Sequence, residues 1–205
     1  MPRPLATLGG GALAGFFGSG LAHLIVTAAD RAGAAGGWLK GPYGPPFFNI
    51  ALFMGVMYGV IAWGLSRKAR EALVGFSGPF LGIAAPMALL TRLMPGNGTL
   101  ENPDARWLNA VVIVFILAVW GTVFALGFRR RRWKGGLAAV AGSFGGYLVL
   151  SLLVWAAPGL TAWAWRAGSL LPQPTVLLDG LLTGAGMGLG LVIASRREHE
   201  KVSHA

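Results

Sequence analysis

The chain has 205 residues, of which 55% are hydrophobic and only 12% charged, with 33 glycines and a mean hydropathy of +0.63. A soluble domain of this size has too little interior to hide so much apolar surface, so the composition belongs to the membrane class. The formal net charge of +10 would suggest nucleic acid in a soluble chain, so here the positions of the charges must decide. Cysteine is absent, which excludes disulfides, thiolate metal sites and thiol nucleophiles.

Six apolar runs follow one another: Leu5 to Ala29, Phe47 to Leu65, Leu73 to Leu90, Trp107 to Phe128, Leu137 to Ala157 and Val176 to Ala194. Each has the length, about 18 to 25 residues, that a helix needs to cross about 30 Å of hydrocarbon. None alternates as a barrel strand would, and only a helix satisfies its own backbone in lipid. The first run is too long for a signal-peptide core and is read as a retained span. The expected fold is therefore all-α: a single transmembrane domain over 1–205, with six helices and a short polar tail at 196–205.

The basic residues set the orientation. With both termini in the cytoplasm, twelve lie inside (Arg3, Arg67, Lys68, Arg70, Arg129, Arg130, Arg131, Arg132, Lys134, Arg196, Arg197 and Lys201). Five lie outside: Arg31, Lys40, Arg92, Arg106 and Arg166. That asymmetry over short loops is a positive-inside signal and points to a multi-pass protein of the inner (cytoplasmic) membrane. The densest group, Arg129 to Arg132 with Lys134, reads as a topological determinant that also suits anionic lipid headgroups, rather than as a nucleic-acid patch.

Three segments open alike: "ALAGFFGSGLAHLIV" from Ala12, "ALVGFSGPFLGIAAPM" from Ala72 and "LAAVAGSFGGYLVLSLL" from Leu137. Each precedes an outer loop, a returning helix and a basic tail, so the chain reads as three helical hairpins at 1–70, 71–134 and 135–205. Small residues recur every four positions: Gly11, Gly15 and Ser19; Ala51, Gly55 and Gly59; Gly78 and Gly82; Gly121 and Ala125; Ala138, Gly142 and Gly146; Gly180, Gly184 and Gly188. Such a stripe lets a neighbouring backbone approach closely, within the chain or in a homo-oligomer or membrane complex. Pro79 and Pro86 predict a kinked or locally unwound third helix. The stretch Gly159 to Pro174 is too short to span and is expected to lie along the outer interface.

Catalytic motifs fail on inspection. "TGAGMGLG", Thr183 to Gly190, has leucine where a dinucleotide loop requires its third glycine, and it sits inside a span. "GFSG", Gly75 to Gly78, resembles the serine motif of rhomboid intramembrane proteases, whose partner is a histidine in a later helix. Here the fourth, fifth and sixth helices contain none. "WLKGPYGPPFF", Trp38 to Phe48, resembles the first-loop pattern of the translocator-protein family over eleven residues. Its prolines are offset and that family's Trp- and Asn-rich later loop is missing, so no function is carried across. No enzyme, cofactor or metal site is expected, because one histidine and scattered carboxylates lack ligand spacing.

The remaining candidates are polar groups within the spans, which are costly in lipid unless paired or used. His23, Asp30, Asn49, Arg92, Asn109 and Asp179 all fall near the outer ends by sequence position and form an expected outward-facing polar pocket. Only weakly polar groups, among them Tyr58, Ser143 and Tyr147, fall near the midplane, which argues against ion coupling. Trp120 alone among the tryptophans sits deep in its span. The function expected is permease-like, or handling of a lipid or small molecule. The alternative is a structural or assembly subunit of a larger membrane complex.

Overall fold

The structure, a computed structural model, describes residues 4–33, 44–93, 119–120, 122–123, 133–157 and 171–203. These form five long helices: α1 Pro4–Arg31, α2 Gly44–Ser66, α3 Ala69–Leu93, α4 Trp133–Ala156 and α5 Pro174–Ser203. The expected span at 107–128 lies outside the described residues, apart from Val119, Trp120, Thr122 and Val123, which are helical. The interfacial stretch at 159–174 lies outside them too, up to residue 170.

Local chemistry sets the helix ends. Gly33, with φ of 67°, takes the left-handed conformation after α1 and donates its N–H to the Asp30 carbonyl at 3.0 Å, the usual role of glycine past a helix end. Only Arg67 and Lys68 separate α2 from α3. Arg67 adopts a φ of 58°, donates to the Trp63 carbonyl at 2.6 Å and lays its guanidinium over the Trp63 ring at 5.3 Å. Ser66 Oγ then accepts the Lys68 N–H at 3.2 Å. Glu71 sits in the first turn of α3, where a carboxylate complements the helix dipole, and is 6% exposed. At the start of α5 the Gln173 carbonyl accepts from Val176 and Leu177, with Pro174 at the first helical position, where its missing N–H costs nothing.

Four helical segments are long and apolar enough to cross a membrane: Pro4–Arg31, Phe48–Ser66, Trp133–Ala156 and Pro174–Arg196. The third expected span, within α3, is not among them. The side chains of α3 are described only as far as Pro86, so the run Leu73 to Leu90 falls partly outside the described residues. Nor is α3 unwound at its prolines, since helix continues unbroken from Ala69 to Leu93. Among the described residues the fold is thus all-α, with five helices of which four are long and apolar enough to cross a membrane.

The helices touch in the order α4, α5, α1, α2, α3. Glycine lies at all four of those contacts, since on α1 and α2 a Cβ at Gly64 would meet Ala14 and one at Gly18 would lie 3.0 Å from the Met57 carbonyl. A Cβ built on Gly15 would overlap the Gly180 carbonyl, and one on Gly180 would overlap the Gly15 carbonyl. Gly11 and Gly184 stand in the same reciprocal relation, and Gly188 meets the Thr7 backbone. On another face of α5, Gly142 and Gly186 are reciprocal, Gly190 meets Ala138, and Gly146 meets Leu182. Rising number on one helix matches falling number on the other, so both pairs are antiparallel. Gly75 of α3 brings α2 equally close, at the Tyr58 carbonyl and the Ala62 side chain. With no side chain between them, the backbones come near enough for Cα–H to carbonyl contacts and extensive dispersion, which drive helix association where lipid removes the hydrophobic incentive.

Burial is inverted relative to a soluble protein. Ser19 and Ser143 are fully buried, while Phe17 is 66% and Leu148 61% exposed. Leu13, Leu21, Leu137, Leu152 and Trp155 also point outward. An apolar exterior around a small and polar interior is what hydrocarbon, not water, stabilises.

Candidate functional site

The interior of the bundle holds the polar groups that are best fixed in place. On α5, Gly180, Gly184 and Gly188 face α1, and Gly186 and Gly190 face α4. At 100° per residue, Thr183 and Met187 fall in the arc between those two faces, with Asp179 on the α4 side of it and Leu191 on the α1 side. Met187, Leu191 and Thr183 are accordingly buried there. From α2 come Met57, Tyr58 and Ile61, from α4 Ala139, Val140 and Ser143, and from α1 Ser19 and Ala22. Trp120 joins the same core cluster.

Local hydrogen bonds and an aromatic cluster line this core. Ser143 Oγ donates to the Val140 carbonyl at 2.7 Å, and Tyr58 is hydrogen-bonded to Ser143. Thr183 Oγ1 donates to Asp179 Oδ1 at 3.2 Å, and Asp179 lies within electrostatic reach of Tyr58. The Tyr58 and Trp120 rings meet edge-on at 4.7 Å and 86°, and Trp120 meets Phe144 at 5.2 Å and 58°, both favourable quadrupole geometries. Trp120 is 3% exposed, and its indole N–H has no acceptor among the described residues.

The outward-pocket candidates divide. Asn49 Nδ2 donates to Asp30 Oδ1 at 3.2 Å, tying the outer ends of α1 and α2 together. His23 lies one to two turns below Asp30 on α1 and is partly buried and partnered. Asp179 stands apart from both. Its neighbour Gly180 packs against Gly15 and Ser19, which places Asp179 beside the middle of α1. Asp30 stands eleven residues beyond Ser19, about 16 Å of helix rise. Asp30 and Asp179 are thus offset along the α1 axis, because α1 and α5 are staggered. Asn109 lies outside the described residues, as do the Arg92 side chain and Arg129 to Arg132. Lys134 begins α4 with its ammonium 5.8 Å from the Trp133 ring centre.

Sequence position alone assigned the midplane nothing stronger than Tyr58, Ser143 and Tyr147. The structure keeps Tyr58 and Ser143 in the interior, turns Tyr147 outward and adds Asp179 and Thr183. The signal available was the i, i+4 pairing of Asp179 with Thr183, which a single helix already puts on one face.

Fold and site define a class: an all-α, multi-pass membrane protein with a buried polar core. No family model matches this chain, and neither does any curated protein or solved structure.

Proposed function

We propose that this is a permease-like protein of the inner membrane, moving or presenting a lipid or small molecule through six helices arranged as three hairpins with both termini cytoplasmic. One observation carries the reading. A carboxylate, a phenol and two hydroxyls are retained inside a helix bundle whose other contacts need only glycine and aliphatic carbon. Intramembrane polar groups that packing does not require are kept for work. Asp30 and Asn49, with His23, Arg92 and Asn109, form the outer approach, and Asp179 lies deeper on the route.

His23→Ala, Arg92→Ala and Asp179→Asn are each expected to abolish rescue of a deletion strain's uptake, efflux or lipid phenotype at unchanged expression. Full complementation by all three variants would sink the reading.

A non-catalytic assembly subunit is the second reading, favoured by one strip on α4. Ala141 and Gly145 are exposed, and nothing lies within 4 Å of a Cβ at Gly145, so a foreign helix has a smooth track there. This reading expects a stable partner or a second copy to copurify in mild detergent. Recovery of a lone monomer argues against it.

A further inference from the structure

The turn between α2 and α3 carries three cations in four residues, Arg67, Lys68 and Arg70, and all three are exposed. Glu71, the acid that follows, is turned inward at 6% exposure, so the surface of the turn is cationic. Two features of Arg67 exceed what a topological charge requires. Its φ of 58° puts it in the left-handed conformation at the end of α2, where glycine or asparagine is the usual occupant because a Cβ is crowded there. Its guanidinium lies over the Trp63 ring at 5.3 Å, beside an indole that is 48% exposed. A positive-inside signal needs only charge, and a lysine elsewhere in the loop supplies it. An arginine kept where glycine is less strained, and docked on an exposed ring, is placed for contact.

The level of the turn identifies what it contacts. The apolar segment Phe48–Ser66 ends at the residue before Arg67, and the two-residue connection holds the cations against the ends of α2 and α3. That is the depth of lipid headgroups, where indole also settles. A soluble polyanion must enter the headgroup layer to reach the turn, whereas an anionic phospholipid is already there. Beyond Arg70, the exposed face of α3 continues as Leu73 and Leu81, 64% and 49% exposed. These three residues fall within about 80° of helix arc, so a cation stands at the head of an apolar track suited to an acyl chain. The same pairing recurs at this face of the bundle. Because α1 runs antiparallel to α2 and α5, and α5 antiparallel to α4, the end of α2 shares its face with the start of α4, where Lys134 lies over the exposed Trp133 ring at 5.8 Å.

We propose that Arg67, Lys68 and Arg70, with Trp63, form a docking site for the phosphate headgroup of an anionic phospholipid whose acyl chain lies along the Leu73 and Leu81 face of α3. The planar guanidinium of Arg67 offers two parallel donors to two phosphate oxygens, and Lys68 and Arg70 add charge. This surface is separate from the polar interior and does not depend on the permease reading.

The test is native mass spectrometry of the purified full chain in detergent, titrated with phosphatidylglycerol and, separately, with phosphatidylcholine of the same acyl chains. The wild type is expected to bind phosphatidylglycerol about tenfold or more tightly than phosphatidylcholine. Arg67→Gly removes the guanidinium and relieves the left-handed backbone. It is expected to melt no lower than the wild type while losing roughly fivefold in phosphatidylglycerol affinity. Adding Lys68→Gln and Arg70→Gln is expected to raise that loss to about tenfold or more and to leave phosphatidylcholine binding unchanged. Equal wild-type affinity for the two lipids, or undiminished phosphatidylglycerol binding by either variant when folded, overturns the proposal. If the triple variant does not fold, Arg67→Gly and the wild-type preference still decide. Glycerol 3-phosphate in large excess is expected to leave the lipid in place, because it lacks the acyl chains. Full displacement by it assigns the site to free phosphate and overturns the lipid assignment.

Discussion

Replacing Gly15 or Gly184 by valine is expected to part α1 from α5 and lower stability by about 3 kcal/mol or more, the upper end of overpacking costs. The reason is that the obstacle is backbone on both sides. A Cβ at Gly184 meets the Gly11 carbonyl and lies 3.1 Å from the Gly15 Cα, and a Cβ at Gly15 meets the Gly180 carbonyl. A side chain in the way could rotate, but a helix carbonyl cannot leave without breaking its own hydrogen bond. Gly145 is the internal control, with open space around it. There alanine should be neutral or stabilising by about 0.5 to 1 kcal/mol, because glycine in a helix interior carries an entropic cost. Thermal unfolding in detergent reads both. A Gly184→Val protein that melts with the wild type would show that α1 and α5 do not meet as described.

Trp120→Ala should be the most damaging truncation in the interior, at about 3 to 5 kcal/mol, since it empties a nearly closed site and strips the ring contacts of Tyr58 and Phe144. Trp120→Phe should cost less than about 1.5 kcal/mol, as a nearly shape-conserving exchange. It deletes a hydrogen-bond donor that has no acceptor, and an unmet buried donor stabilises nothing. Denaturation of the two variants side by side gives the comparison. If phenylalanine were as harmful as alanine, the indole N–H would have to make a bond that the apo protein does not show.

Much of the architecture is legible without coordinates. The apolar runs locate α1, α2, α4 and α5 to within a few residues, because a helix that crosses lipid must be long and apolar throughout. The run at 73–90 also forms a helix, within α3. The helix stops are readable too, in Gly33 after α1 and Pro174 opening α5. Four-residue glycine spacing marks faces suited to close approach, and Gly180, Gly184 and Gly188 can be picked out on that basis.

Partner and depth are different quantities, and neither is written along a single helix. The sequence by itself determined an all-α membrane chain and the lack of any thiol chemistry. Only the tertiary structure decided that α5 carries two glycine faces, one for α1 and one for α4, and that its third face turns Asp179 and Thr183 inward beside Tyr58, Ser143 and Trp120. The physical reason is the stagger between α1 and α5. Counting from the end of its own helix puts Asp179 near the outer surface, but the backbone contacts of Gly11 and Gly15 with Gly184 and Gly180 lock it opposite the middle of α1. A residue's depth belongs to the packed pair, and glycine, by letting the two backbones touch, sets the register.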